Sequence, residues 1–244
     1  LPNGAVNRGV IDVNADRGFA IETGDNAGVT TSGNINLNAN ETRGISAGNR
    51  TNPLFAANLS NTGVIVVAGD DSFGIKAGDG WADGTFAGNS GAAAPGVFML
   101  SLTTITVSGS DSVGIFVGDE TNLVGNHNSF VSNGGFINAS GFDAIAVSLG
   151  GQDLPDPFDS QDTSSIPITS FTNTGTILGG VDAKPLIVFR DFVAGRENSF
   201  DNGLGARISA NTTNRGMPDR AIAIMGTAGD EFIFNLGEIE GDVE

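Results

Sequence analysis

The densest set of reactive side chains lies in "LGGQDLPDPFDSQDTSSIP" at 149–167, where Asp153, Asp156, Asp159 and Asp162 recur at three-residue intervals. Arg190, Asp191 and Arg196 follow a short way along the chain. Two or three carboxylates converging beside an arginine are what acid–base cleavage of a glycosidic link needs. The chain has no tyrosine and one tryptophan, Trp81, so the aromatic platforms that sugar clefts use are scarce. His127 is the single histidine, which excludes a multi-histidine metal site within this chain. Ser108, Ser110 and Ser112 in "SGSDSVG" lie in a turn of the repeat, and the Gly-x-Ser-x-Gly elbow of serine hydrolases is missing. No glycine run follows a strand and opens a helix, as a phosphate loop would require. These patterns predict a protein that is not an enzyme.

A second chemistry is that of oxygen ligands. Acidic or amide residues follow the short apolar runs in two series: Asp16, Asn40, Asp70, Asp111, Asp143 and Asp182, then Asp25, Asn49, Asp79 and Asp119. Carboxylates stacked at a regular spacing repel unless they splay into water or share a hard cation such as calcium. Asp70, Asp71, Asp111 and Asp119 form the best local group for calcium. The glycine-rich nonapeptide of calcium-loaded β-rolls is absent, so the expectation is solvated turns, no cofactor, and calcium only as a weak candidate.

What positions these residues is a repeat. Leading isoleucines stand at 11, 35, 65, 105, 137, 177, 208 and 239, with gaps of 24, 30, 40, 32, 40, 31 and 31 residues. Most follow Asn-x-Gly-x or a variant, as in "NTGVIVV" at 61–67, "NGGFINA" at 133–139 and "NTGTILG" at 173–179. A second isoleucine commonly comes ten residues later, as in "FGIKAGDG" or "VGIFVGDE". Units that cannot bury their own apolar face must stack on their neighbours. The reading is all-β: a right-handed parallel β-helix with three short strands per rung and about seven full rungs plus the start of an eighth.

Alternation along the strands places Ile65, Val67, Phe73, Ile75 and Ala77 inside one rung, and Ile105, Val107, Val113, Ile115 and Val117 inside the next. A third strand is marked by Val29, Phe55 with Leu59, Phe130, Phe171, Phe200 and Phe234. Asn7, Thr31, Asn61, Ser101, Asn133, Asn173 and Asn235, each four before a leading isoleucine, are expected to form an internal amide ladder. The chain reads as one solenoid domain over 1–244, a fragment of something longer. Lateral insertions fall near 78–96, 118–129, 149–167 and 191–199. Insertions on one edge of a solenoid often carry its contacts. Trp81, Phe86 and Phe158 within them are candidate binding-surface anchors.

Composition narrows the partners. With 28 acidic against 11 basic residues and a net charge of −17, the surface should repel nucleic acid and anionic lipid. There is no cysteine, so neither disulfides nor thiol chemistry operate. No apolar run is long enough for a membrane span, so this segment is not expected to insert directly.

The repeats "NTGVIVVAGDDSFGIKAGDG", "NGGFINASGFDAIAVS" and "NTGTILGG" resemble the passenger regions of bacterial autotransporter proteins, over essentially the whole chain. The resemblance implies export to the outer membrane and an extracellular or cell-surface location. It implies a structural or adhesive role, with a host or neighbouring-cell surface protein, a glycan or copies of the chain itself as partner. It brings no catalytic residue, because neither the protease nor the esterase motif is present. Two alternatives are a subunit of a polymeric surface fibre or S-layer-like assembly and a polysaccharide-processing β-helix enzyme.

Overall fold

The structure, a computed structural model, describes residues 4–23, 28–47, 58–77, 96–99, 103–117, 129–149, 168–180, 185–189, 197–210, 221–226 and 230–244. The candidate anchors Trp81, Phe86 and Phe158 lie outside them. So do Asp25, Asn49, Phe55, Asp79, Ser101, Asp119, His127, Asp182, and the carboxylate and arginine group at 153–162 and 190–196.

Among the described residues are three sheets of eight strands each, with every strand parallel to its neighbours. The first sheet carries the leading isoleucines, from Val10–Val13 in rung 1 to Glu238–Glu240 in rung 8. The second runs from Phe19–Thr23 to Asp242–Val243, and the third from Gly4–Asn7 to Asp230–Asn235. The chain is a parallel β-helix with eight rungs, and the eighth has all three sides. Seven intervals of about 4.8 Å make a rod of roughly 34 Å.

The leading isoleucines pair in register, Ile65 with Ile105 and Ile105 with Ile137. From Ile35 to Ile208 they are fully buried. Val67 and Val107 continue the core, as do Ile75 and Ile115 from the second sheet. On the third sheet Val29, Val131, Phe171 and Phe200 point inward, the two rings 5.2 Å apart.

Several expectations are corrected. Phe73 and Val113 belong to a separate cluster with Phe116, Ile145 and Val188 on the outer face of the second sheet, not to the core. Strict alternation fails because the ladder steps over Gly74 and Gly114. A side chain built on Gly74 would point at Ile65 and Val67, so the glycine and the following isoleucine both face inward. In the equivalent turn Ala146 and Val147 both donate to the Leu186 carbonyl, at 3.0 and 2.9 Å, the signature of a bulge. By register the third-sheet column takes Val131 rather than Phe130, and Ile233 rather than Phe234.

The amide ladder is present with two changes. Asn133 donates to Asn173, Asn173 to Asn202 and Asn202 to Asn235, at 2.8–2.9 Å. Asn202 therefore joins the column, and Met99 occupies the register expected for Ser101. Both precede their isoleucine by six residues instead of four. Asn7, Asn61, Asn133, Asn173 and Asn235 also accept from the backbone N–H two residues on, as Asn61 does from Gly63 at 3.0 Å. A Cβ on Gly63 would collide with the Gly33 carbonyl one rung away, which explains the glycine of Asn-x-Gly.

The ends of the inserted stretches shade into strands. Leu149 closes Ile145–Leu149, while Gly96, Ser129 and Glu197 open strands of the third sheet.

Candidate functional site

The corner between the first and second sheets holds Asp70, Asp71 and Asp111 of the calcium candidates. In rungs 1–5 the chain turns through one residue in the left-handed region: Arg17, Glu41, Asp71, Asp111 and Asp143, with φ between 52° and 61°. The backbone N–H of Asp71 donates to the Ser110 carbonyl, and that of Asp111 to the Phe142 carbonyl. Asp16, Asn40, Asp70 and Ser110 occupy the preceding position, each side-chain oxygen of the first three accepting from the next rung's backbone. The expected Asp column is therefore two columns, and Asp111 and Asp143 stand one residue later than Asp70. A turn that needs φ > 0 tolerates Asp better than most residues, so the acids follow from backbone geometry. Among the described residues no three His, Cys, Asp or Glu side chains gather as a metal site.

Ser112 is buried in a second internal ladder. Its hydroxyl donates to the Gly69 carbonyl and accepts from the Ser72 N–H, while Thr42 donates to Ser72 at 3.0 Å. A hydroxyl held this way is a structural part of the corner. The recurrence of Thr42, Ser72 and Ser112 just after the left-handed residue was its unread sequence signal.

Sequence reasoning also missed Lys76. It is fully buried on the outer side of the second sheet, its ammonium 5.2 Å from the Phe73 ring centre and 5.6 Å from that of Phe116. The two rings meet edge to face at 5.6 Å. The cation faces the negative π surface of both rings, so Lys76 is part of a packed layer. Long stretches at 78–95, 118–128 and 150–167 follow strands of this sheet directly.

The first sheet offers a different surface. Its outward positions in rungs 2–6 are Asn34 and Asn36, Val64 and Val66, Thr104 and Thr106, Phe136 and Asn138, and Thr176 and Leu178. None is charged in a chain of net charge −17, and all but the exposed Asn34 are half-buried. In-register pairing makes two straight columns. Charge returns at the margins, with Asp12 in rung 1 and Arg207, Glu238 and Glu240 in rungs 7 and 8. Glu240 accepts from the Ser209 hydroxyl at 2.6 Å and from Arg207 at 3.3 Å, and these two contacts hold its carboxyl below the usual carboxylate range.

The outermost rungs expose apolar side chains as well: Val6, Val10 and Phe19 at one end, and Phe232, Phe234 and Leu236 at the other. Among the described residues no helix is long and apolar enough to cross a membrane. Compared with family models, with curated proteins and with solved structures, the chain matches none of them.

Proposed function

We propose that this chain is a structural or adhesive β-solenoid that works outside the cell or on a bacterial surface, with the first sheet as its contact face. The autotransporter-passenger identity is part of the same proposal and rests on the Asn-x-Gly-x-Ile repeats alone. The observation that carries the functional reading is the flat, uncharged, five-rung strip on a strongly acidic rod. Charge is depleted at the centres of protein contacts and returns at their rims. A stacked rod holds such a strip rigid, so little ordering entropy is lost on contact. The partner is a surface protein, a glycan or a copy of the chain.

The test compares binding of the labelled protein to bacterial and host cell surfaces and to a glycan panel. Thr106→Glu with Leu178→Glu places charge on the strip, and Thr30→Glu places it on the third sheet. Loss of binding in the first variant only supports the reading; equal binding by both removes the face from it. We assign the chain no catalysis, and release of product from a polysaccharide panel would overturn that assignment.

Assembly into a fibre is a second reading, favoured by one observation. The outermost rungs expose Val6, Val10 and Phe19, and Phe232, Phe234 and Leu236, and a further rung from another copy would cover them. Light scattering over a concentration series distinguishes the readings: growing end-to-end polymers favour the fibre, and a concentration-independent mass removes it.

A further inference from the structure

We propose that copies of this chain add head to tail, rung 8 of one docking on rung 1 of the next so that the amide ladder runs on between them. This gives the polarity and register of the exposed end rungs described under Proposed function, and it rests on the fibre reading there.

The ladder has a direction. Asn133, Asn173 and Asn202 each donate Nδ2 to the Oδ1 of the following rung, and Asn7 donates to Thr31. In rung 8 the Asn235 Oδ1 already accepts from Asn202 at 2.8 Å and from the Gly237 N–H at 3.1 Å. What Asn235 offers at the outer edge is therefore its Nδ2 donor. Asn7 offers the opposite: among the described residues its Oδ1 accepts from Gly9 alone, at 3.0 Å, which leaves a lone pair for a donor from outside. The backbone has the same polarity. A ladder residue's carbonyl accepts from the N–H that follows its counterpart one rung on: Asn7 from Ser32, Asn133 from Thr174, Asn173 from Gly203 and Asn202 from Leu236. The Asn235 carbonyl lies on the outer side of the end strand, and the Arg8 N–H is the matching donor.

Rungs 2–8 have their receiving side occupied by the rung before, so rung 1 is the described rung that can take rung 8. Two copies meeting tail to tail would bring two donor edges of the ladder together, and head to head two acceptor edges. Head to tail is the pairing that joins donor to acceptor. Carried across the joint, the register sets Ile239 on Ile11, Ile233 on Ala5 and Phe234 on Val6. Ile11 and Ile239 are half-buried in their end rungs, while Val6 and Phe234 are exposed. The joint encloses the first pair and covers the second. Such a contact is heterologous and does not close on itself, so it builds a filament that lengthens by about 38 Å per copy.

Charge limits the growth. The same register puts Glu240 beside Asp12 of the next copy, carboxylate against carboxylate. Each keeps donors of its own: Glu240 has Ser209 and Arg207, and Asp12 has Asn36 at 2.7 Å. The pair opposes the joint without forbidding it, and every copy brings a net charge of −17. Growth should therefore need concentrated protein and strengthen with salt, which screens the repulsion.

The lack of native cysteine makes the test direct, and parallel neighbours lie within reach of a disulfide. Under mild oxidation of the concentrated protein, Val6→Cys and Phe234→Cys should each give no disulfide-linked species alone and should link one to one when mixed. The double variant should give a series of longer linked chains. Thr30→Cys mixed with Phe234→Cys is the background control, because Thr30 stands one rung inside Val6. Asp12→Asn removes the like-charge contact and keeps the acceptor for Asn36, so light scattering should show growth from a roughly two- to fivefold lower concentration. The inference is overturned if Phe234→Cys links to itself as readily as to Val6→Cys, if the mixture does not exceed the control, or if Asp12→Asn leaves the threshold for growth unchanged or raised. Polymers of the parent protein alongside any of these results would leave the fibre reading standing and remove only the head-to-tail joint. A concentration-independent mass removes both.

Discussion

Replacing Ile105 by alanine tests the core at its centre. Ile105 is fully buried and pairs with Ile65 and Ile137 in the rungs on either side. Across the core its Cγ2 faces Gly114, 3.5 Å from where a Cβ would stand. Glycine has no side chain that can swing into the space, and both flanking isoleucines are held in register by their own ladders. The cavity therefore stays open, and the cost should fall in the upper part of the range for such truncations, about 3–5 kcal/mol. For a domain of this size that lowers the melting point by roughly 6–20 °C. Ile11, in the outermost rung, is half-buried and pairs only with Ile35, so Ile11→Ala should cost about 1–2 kcal/mol. Because each rung leans only on its neighbours, the central variant should also split the transition into two phases. Far-UV circular dichroism during heating and in a urea series measures both effects. Equal losses for the two variants, or none for Ile105→Ala, would refute the nearest-neighbour core.

Asn173→Ala should cost about 2–3 kcal/mol in urea unfolding, because Asn133 loses its acceptor and Asn202 its donor in a buried ladder. At the left-handed corner Asp71→Val should lose about 1–2 kcal/mol, while Asp71→Gly holds or gains stability; a valine variant as stable as the parent would show that the corner is not under this constraint. EDTA should leave the melting point unchanged, since the corner acids answer to backbone geometry; a drop reversed only by calcium would place an ion there and make Asp70, Asp71, Asp111 and Asp119 the residues to test.

The leading isoleucines were legible because each rung repeats the same neighbour, and a stack magnifies a weak local pattern. Two kinds of detail escaped. The first is local geometry that breaks a simple period. The bulge turns Phe73 and Val113 outward, and its signal was the glycine before Ile75 and Ile115, which alternation alone ignores. The corner displaces Asp111 and Asp143 by one residue from Asp70, because the left-handed position can be counted only once the turn is known. The extra residues before Ile105 and Ile208 hid Met99 and Asn202 in the same way. The second is burial set by packing between elements. Lys76 carries a charge, which by itself points to the surface, yet it is buried against two phenylalanine rings. The uncharged strip on the first sheet was hidden for a different reason: reactive groups draw the eye, and this strip is defined by having none.

Everything proposed for the first sheet depends on its strands being stacked in register with Val64 and Thr104 side by side and facing outward. A cysteine pair tests this directly. Parallel neighbours about 4.8 Å apart fall within the 4.4–6.8 Å that a disulfide spans, whereas positions two rungs apart do not. In dilute protein, Val64→Cys with Thr104→Cys should close an intramolecular disulfide quickly and leave the fold intact. Val64→Cys with Phe136→Cys should remain reduced. Closure of the second pair, or failure of the first to close, would contradict the register and with it the contact face.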